Sequence, residues 1–223
     1  NQLYHIVRNF TLKTKRDLLQ QQTGLQQGHL LDIGAGTGAF AQTMKEAGWQ
    51  ITGLEPDETA RNIAQQKFGL QLQTPDQLYQ LQNEQFDAIT MWHVLEHVHE
   101  LHAYMEKFHA ILKPNGLLFI AVPNYTSGDE SMYKEHWAAY DVPRHIYHFS
   151  KNGMENLISK NPDWKMRKIK PLVLDSYYIS MLSEKYKKSP LIWLKAVIYG
   201  TISNVKALFS NEFSSLIYII EKR

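Results

Sequence analysis

The chain has 223 residues, 43% of them apolar, and 24 basic against 22 acidic side chains leave a formal charge of +2. That length suits one α/β domain with an insertion, and the near balance of charge gives no general argument for nucleic acid. The absence of cysteine excludes disulfides, thiolate metal sites and a cysteine nucleophile, which fits a reducing, cytoplasmic setting.

No signal peptide or uninterrupted transmembrane run stands out. Asn1 in place of an initiator Met leaves open that the natural N-terminus, with any leader, lies upstream. Residues 1–23 read as a helix, because Leu3, Ile6, Val7 and Phe10, then Leu18 and Leu19, recur at helical spacing among polar residues. Leu30 to Ile33 is an apolar run that enters Gly34, Gly36 and Gly38, after which residues 38–47 have helix-forming composition. From 30 to 124 strand and helix signals alternate, which predicts a parallel sheet with helices on both faces. Strands are expected at 29–33, 50–54, 70–73, 86–91 and 117–122, and helices at 57–67, 75–81 and 100–112. Pro114-Asn115-Gly116 reads as a turn that admits the fifth strand.

The pattern breaks at 124–150, where Trp137, Tyr140, Asp141, Arg144, His145, Tyr147 and His148 crowd a non-periodic stretch of the kind that forms site loops. Ser150 is expected to cap a helix running to about Lys160. A sixth strand follows at 165–174 and a last one at 214–221, with a long insertion, Ser176 to Phe213, between them. A helix from 191 to 209 would be apolar over most of its circumference, which predicts that it is buried against something.

A strand that ends in a glycine turn and opens a helix is a nucleotide-binding device: glycine lets the backbone turn tightly, and the helix N-terminus offers free N–H groups. The spacing here is G-x-G-x-G, with Ala35 and Thr37 between the glycines, one residue short of the dinucleotide fingerprint G-x-G-x-x-G. Glu55, followed by Pro56, ends the second apolar stretch, where a carboxylate accepts both hydroxyls of a ribose and repels a 2′-phosphate. Asp32 is expected to hold the glycine turn by accepting backbone N–H bonds. An ordinary strand–helix turn is the plain alternative for the glycines, and an NAD(P) oxidoreductase is a rival that the short spacing disfavours. A scaffold that kept the fold and lost the chemistry is a third reading.

The motifs Leu-Leu-Asp-Ile-Gly-Ala-Gly-Thr-Gly at 30–38, Gly-Leu-Glu-Pro-Asp at 53–57, Phe86 to Val98 and Leu112 to Asn124 occur in one order along the chain. In them the sequence resembles the class I S-adenosylmethionine-dependent methyltransferases. Leu-Glu-His-Val at 95–98 and Lys-Pro-Asn-Gly at 113–116 resemble the branch that holds the ubiquinone-biosynthesis O-methyltransferases. The resemblance implies a Rossmann-like, doubly wound, seven-stranded sheet, mostly parallel with an antiparallel last strand. It implies S-adenosylmethionine as cofactor, S-adenosylhomocysteine as product, and a small-molecule acceptor methylated at an oxygen. It divides one domain, 1–223, into an N-terminal helical cover (1–28), a cofactor-binding core (29–124), an acceptor-site loop (125–150) and a helical lid insertion (176–213). By resemblance Thr74 and Asp76 flank the adenine, with Leu78 as a packing surface; the alternative makes Thr74 a helix N-cap and Asp76 a first-turn acid. Trp92 and His93 fall beside the methionine part.

His97 and His145 are the candidate general bases, since imidazole titrates near neutrality; for His97 a structural hydrogen bond that fixes the loop is the competing reading. Trp137, Tyr140, Arg144 and His148 are the candidate acceptor contacts, with a packed loop as the alternative. Some ubiquinone-pathway relatives use a metal here, and His93, Glu96, His97 and His99 invite one. The glutamate is misplaced for H-E-x-x-H, so no metal is expected. The insertion is expected to be a lid over the acceptor pocket; a homodimer interface and a peripheral membrane contact through 190–209 are the other two fates.

Overall fold

A computed structural model describes residues 2–223, with side chains from Val7 onward; Leu3 and Ile6 of the expected first helix lie outside the described side chains. The strands form one sheet in the order β2-β1-β3-β4-β6-β5, mostly parallel with one antiparallel strand. They are β1 (His29–Ile33), β2 (Gln50–Leu54), β3 (Phe86–Trp92), β4 (Leu112–Pro123), β5 (Trp164–Pro171) and β6 (Ser215–Lys222). The chain divides into two compact units, one of Asn1–Trp92, His102–Phe119 and Glu221–Arg223, the other of His93–Leu101 and Ile120–Ile220.

In the first unit, β1 runs parallel to both β2 and β3, with Leu30 opposite Ile51 and Ala88. Leu30, Leu31, Ala88 and Ile89 are buried, as a central parallel strand flanked on both faces requires. The helices are α1 (Gln2–Thr23), α2 (Ala39–Glu46), α3 (Glu58–Phe68) and α4 (Leu101–Ile111). Asp57 caps α3 by accepting the Ala60 N–H at 2.7 Å, and Gly69 ends that helix in the left-handed conformation at φ 62°.

Six strands form rather than the expected seven. Residues 70–73 make a single parallel bridge, Leu54 to Gln73, closed by Glu55 N–H to the Gln73 carbonyl and Gln73 N–H to the Gly53 carbonyl. The reason is local: the left-handed Gly69 and Pro75 leave four residues on an outer edge with only β2 to pair. The expected helix at 75–81 is a 3₁₀ turn, Pro75–Gln80. Pro114-Asn115-Gly116 does not precede a strand but lies inside β4, where Asn115 takes φ 63°.

The second unit holds α5 (Gly128–Tyr133), α6 (Lys151–Ser159), α7 (Asp175–Tyr186), α8 (Ile192–Ser210) and most of β6. Ser150 caps α6 by accepting the Gly153 N–H. Its polar centre is Asp129, fully buried, which accepts from the Trp137 indole at 2.8 Å, the Ser203 hydroxyl at 2.7 Å and the Ser214 hydroxyl at 2.6 Å. A buried carboxylate is tolerable when it is met by this many donors.

Within the chain α8 is buried along one stripe only. Its buried stripe is Ala196, Gly200, Ser203 and Ala207, while Trp193, Leu194, Val197, Ile198, Ile202, Val205, Leu208 and Phe209 are exposed. Small residues set the inner face because α7 comes very close: a Cβ on Gly200 would stand 3.0 Å from the Tyr177 Cα.

Candidate active site

In the first unit the end of β1, the glycine turn, α1, α3 and the end of β3 enclose a cavity of about 480 Å³, within the range of small-ligand pockets. Gly34, Gly36 and Gly38 all hold positive φ, at 68°, 54° and 77°. The Gly34 and Ala35 N–H groups both donate to the Leu54 carbonyl, at 2.8 and 3.0 Å, which ties the turn to the end of β2. A Cβ on Gly38 would come within 3.0 Å of the Ala64 Cβ, so this glycine serves helix packing.

Glu55, not Asp32, holds the turn: its Oε2 accepts the Gly36 N–H at 2.7 Å and its Oε1 the Asp57 N–H at 2.9 Å. Arg61 braces the same stretch by donating to the Glu55 and Pro56 carbonyls. Asp32 accepts the Thr90 hydroxyl at 2.7 Å inside the core and lines the cavity. Burial pushes its carboxyl up to about 7; Thr90 and Lys15 pull it down and Glu55 adds to the rise.

Of the expected cofactor residues, Asp32, Gly34, Ala35, Thr37 and Trp92 line this cavity. Thr74 and Asp76 do not; Thr74 makes no capping bond, and it and Gln77 hold the Asp76 carboxyl below its usual range. The sequence reading passed over Arg8, Leu12 and Lys15, which α1 presents to the cavity at a spacing that puts them on one helix face. The Lys15 ammonium stands 4.3 Å over the Trp92 ring, and Phe40 packs edge-on to Trp92 at 5.4 Å. One acid, Asp32, and three bases, Arg8, Lys15 and Lys67, line the cavity beside this aromatic wall.

The second unit gathers the histidines. The 3₁₀ turn Leu95–His97 buries Glu96, whose carboxylate oxygens have no hydrogen-bond partner among the described residues. His93 Nδ1 is 3.6 Å and His145 Nε2 4.0 Å from Glu96 Oε1. Burial opposes the charged form of His93, but Asp175, 2.9 Å from its Nε2, and Glu96 outweigh it and raise the imidazole to about 9. His145 is pulled below its usual range, burial being the main cause, and its Nδ1 lies 2.8 Å from the Ala139 carbonyl. His97 packs edge-on to His145 at 4.7 Å, and its Nδ1 meets the Arg144 carbonyl at 3.0 Å. A carbonyl only accepts, so His97 donates to it from Nδ1, and in the neutral ring this leaves Nε2 as the acceptor. Ligand atoms of Glu96, His97 and His145 lie within 4.8 Å of one another, a set that the sequence reading, looking at His93 to His99, did not assemble.

The expected acceptor contacts fare unevenly. Trp137 is 2% exposed and donates to Asp129, and it lines a small cleft with Tyr125, His145, Tyr147 and His148. Tyr140 donates to Glu130 at 2.7 Å, and His148 Nε2 meets the Tyr140 carbonyl at 3.1 Å. Arg144 pairs with Asp141 and is otherwise exposed. The packed-loop alternative describes Trp137 and Tyr140.

The sheet and its glycine turn define a Rossmann-like methyltransferase fold. The family model for the methyltransferase domain matches residues 6–161, and the chain belongs to that family. Among curated proteins it is 34% identical over 125 residues to the ubiquinone biosynthesis O-methyltransferase of Histophilus somni, covering 51% of this chain and 52% of that protein. It is 36% identical over 123 residues to the enzyme of the same name from Actinobacillus pleuropneumoniae, covering 49% and 52%. The chain thus spans about half the length of the curated relatives it matches. Among solved structures it overlays the geranyl diphosphate C-methyltransferase of Streptomyces coelicolor, crystallised with S-adenosylhomocysteine, at a TM-score of 0.65. That pair shares 12% identity over 95% of this chain and 76% of the other. A cyclopropane synthase from Mycobacterium tuberculosis gives a TM-score of 0.63 and 19% identity over 94% and 83%. At such identities these two likenesses speak to the fold alone.

Proposed function

We propose that the chain transfers the methyl group to a hydroxyl oxygen of a small, largely apolar acceptor, with His97 as the general base. S-adenosylmethionine supplies an electrophilic methyl on a sulfonium. The chain's own residues have three tasks: bind that cofactor, place the acceptor, and remove one proton. Asp32 suits the cofactor's ammonium, Lys15 and Arg8 its carboxylate, and Glu55 its ribose. The observation that carries the oxygen-acceptor reading is the His97 ring, whose Nδ1 is committed to the Arg144 carbonyl and whose Nε2 is open. A neutral imidazole in that tautomer accepts a proton from a hydroxyl as the C–O bond forms. His145 packs edge-on against this ring, and the buried Glu96 lies within 4.8 Å of both. The names of the curated relatives, O-methyltransferases of ubiquinone biosynthesis, support a phenolic acceptor.

No metal is needed for this chemistry, and α7 serves as a cover: Ser183 accepts the Ala138 N–H at 2.9 Å and Ile179 packs with Trp137 in one cluster. The test is methyl transfer to catechol and prenylated catechol acceptors by the wild type and by His97→Gln. Loss of turnover with cofactor affinity intact supports the base; equal turnover in both removes it.

A further inference from the structure

The exposed face of α8 is arranged for a purpose that its packing does not explain. At about 100° per residue, Val197, Leu208, Leu194, Val205, Ile198 and Ile202 follow one another round a single arc, broken only by Thr201. Trp193 and Phe209 stand near the two ends of the helix, 72% and 87% exposed. Contiguous exposed apolar patches of more than a few hundred Å² are uncommon on soluble monomers, and this arc runs the length of α8.

The charged side chains of α8 itself are both lysines, Lys195 and Lys206. Between Ser176 and Ser210 the single acid is Glu184, which is buried and faces Lys195 at 3.9 Å. Lys195 and Lys206 fall beside one border of the apolar arc on the same helical wheel, and Lys185, Lys187 and Lys188 form the corner before α8. A second copy of the chain seated on this face would bury the arc but bring lysines against lysines. A lipid surface with anionic headgroups answers both the apolar arc and the lysines. The helix does not span a membrane: no described helix is long and apolar enough, and its inner stripe is committed to α7.

We propose that α8 is an in-plane membrane anchor that lays this arc into the headgroup–acyl boundary of an anionic bilayer. The anchor rests on the surface of α8 and is independent of which acceptor is methylated.

The test is flotation of the full chain with phosphatidylcholine vesicles, with and without about a third phosphatidylglycerol. Two variants run beside the wild type: Trp193→Ser/Leu208→Ser/Phe209→Ser, and Lys185→Gln/Lys187→Gln/Lys188→Gln/Lys206→Gln. Circular dichroism checks that each remains folded, as exposed positions should allow. The wild type is expected to float with the anionic vesicles, and each variant to lose at least roughly tenfold in the bound-to-free ratio. The apolar variant should lose binding to both vesicle types, and the lysine variant should lose only the additional binding that phosphatidylglycerol confers on the wild type. A wild type that stays at the bottom of the gradient with both vesicle types overturns the anchor. So does a wild type that sediments as a dimer which the apolar variant breaks, because the arc is then an interface between copies.

Discussion

Glu55 Oε2 stands 2.7 Å from the Gly36 N–H, so the acid proposed to take a ribose is also the clamp on the glycine turn. Replacing Glu55 by Ala therefore removes a charge-assisted hydrogen bond to the loop and the acceptors for the ribose at once. Each such bond is worth about 1.5–3 kcal/mol. Glu55→Ala should bind S-adenosylhomocysteine roughly 10- to 150-fold more weakly by calorimetry, while Glu55→Asp, too short to keep the Gly36 contact, falls in between. Affinity within twofold of wild type for the Ala variant would remove Glu55 from the site.

Asp32 makes cofactor affinity depend on pH. Its folded carboxyl titrates at about 7 against 3.8 in the unfolded chain, so between those values the folded protein holds the proton. The ligand's ammonium favours the ionised carboxylate, and binding below pH 7 releases a proton. Affinity for S-adenosylhomocysteine should rise by up to about tenfold per unit from pH 5.5 toward 7 and level off above 7.5. Calorimetry in buffers of different ionisation enthalpy should register the released proton at pH 6. The same linkage means that the burial of Asp32 costs stability as pH rises through 7, and Asp32→Asn should flatten both profiles.

His97→Gln should lower kcat by about 10²–10⁴-fold with cofactor affinity unchanged. A phenolic acceptor ionises near pH 10, so the variant's rate should recover as pH is raised from 7 to 10. A ring that only props the loop predicts no such recovery. A chelator should leave wild-type turnover intact; loss that one divalent ion restores would make Glu96, His97 and His145 a metal site instead of a base.

Asp129 is the hub of the second unit, and Asp129→Ala strands the Trp137 indole and two buried hydroxyls. Each buried donor left unsatisfied costs about 1–3 kcal/mol, so with three stranded the thermal unfolding midpoint should drop by at least roughly 6 °C for a chain of this size. An unchanged midpoint would contradict that role.

The legible parts of the sequence are those where one local rule decides the outcome. Leu30 to Ile33 and Phe86 to Met91 are apolar runs that only a doubly covered parallel strand buries, and Gly34, Gly36 and Gly38 mark a turn because their φ values are positive. Edge and tertiary effects stayed hidden. Residues 70–73 have strand-like composition but no second neighbour, so a bridge is all that forms. In α8 periodicity shows an apolar helix but not which face turns inward; Gly200 decides that, through its approach to Tyr177. The bond from Trp137 to Asp129 left no mark because the two lie eight residues apart in a turn-rich stretch with no periodicity. Asp175 and His93 are far apart in sequence, and only the fold sets them 2.9 Å apart.

The most direct test of methyl transfer to oxygen is to incubate the wild-type chain with methyl-labelled S-adenosylmethionine and a prenylated catechol, and to locate the label in the product by mass spectrometry and NMR. The account predicts one labelled methoxy group per S-adenosylhomocysteine released. A label on carbon or nitrogen, or S-adenosylmethionine that binds and is never consumed with this or any other hydroxylated acceptor, would contradict it.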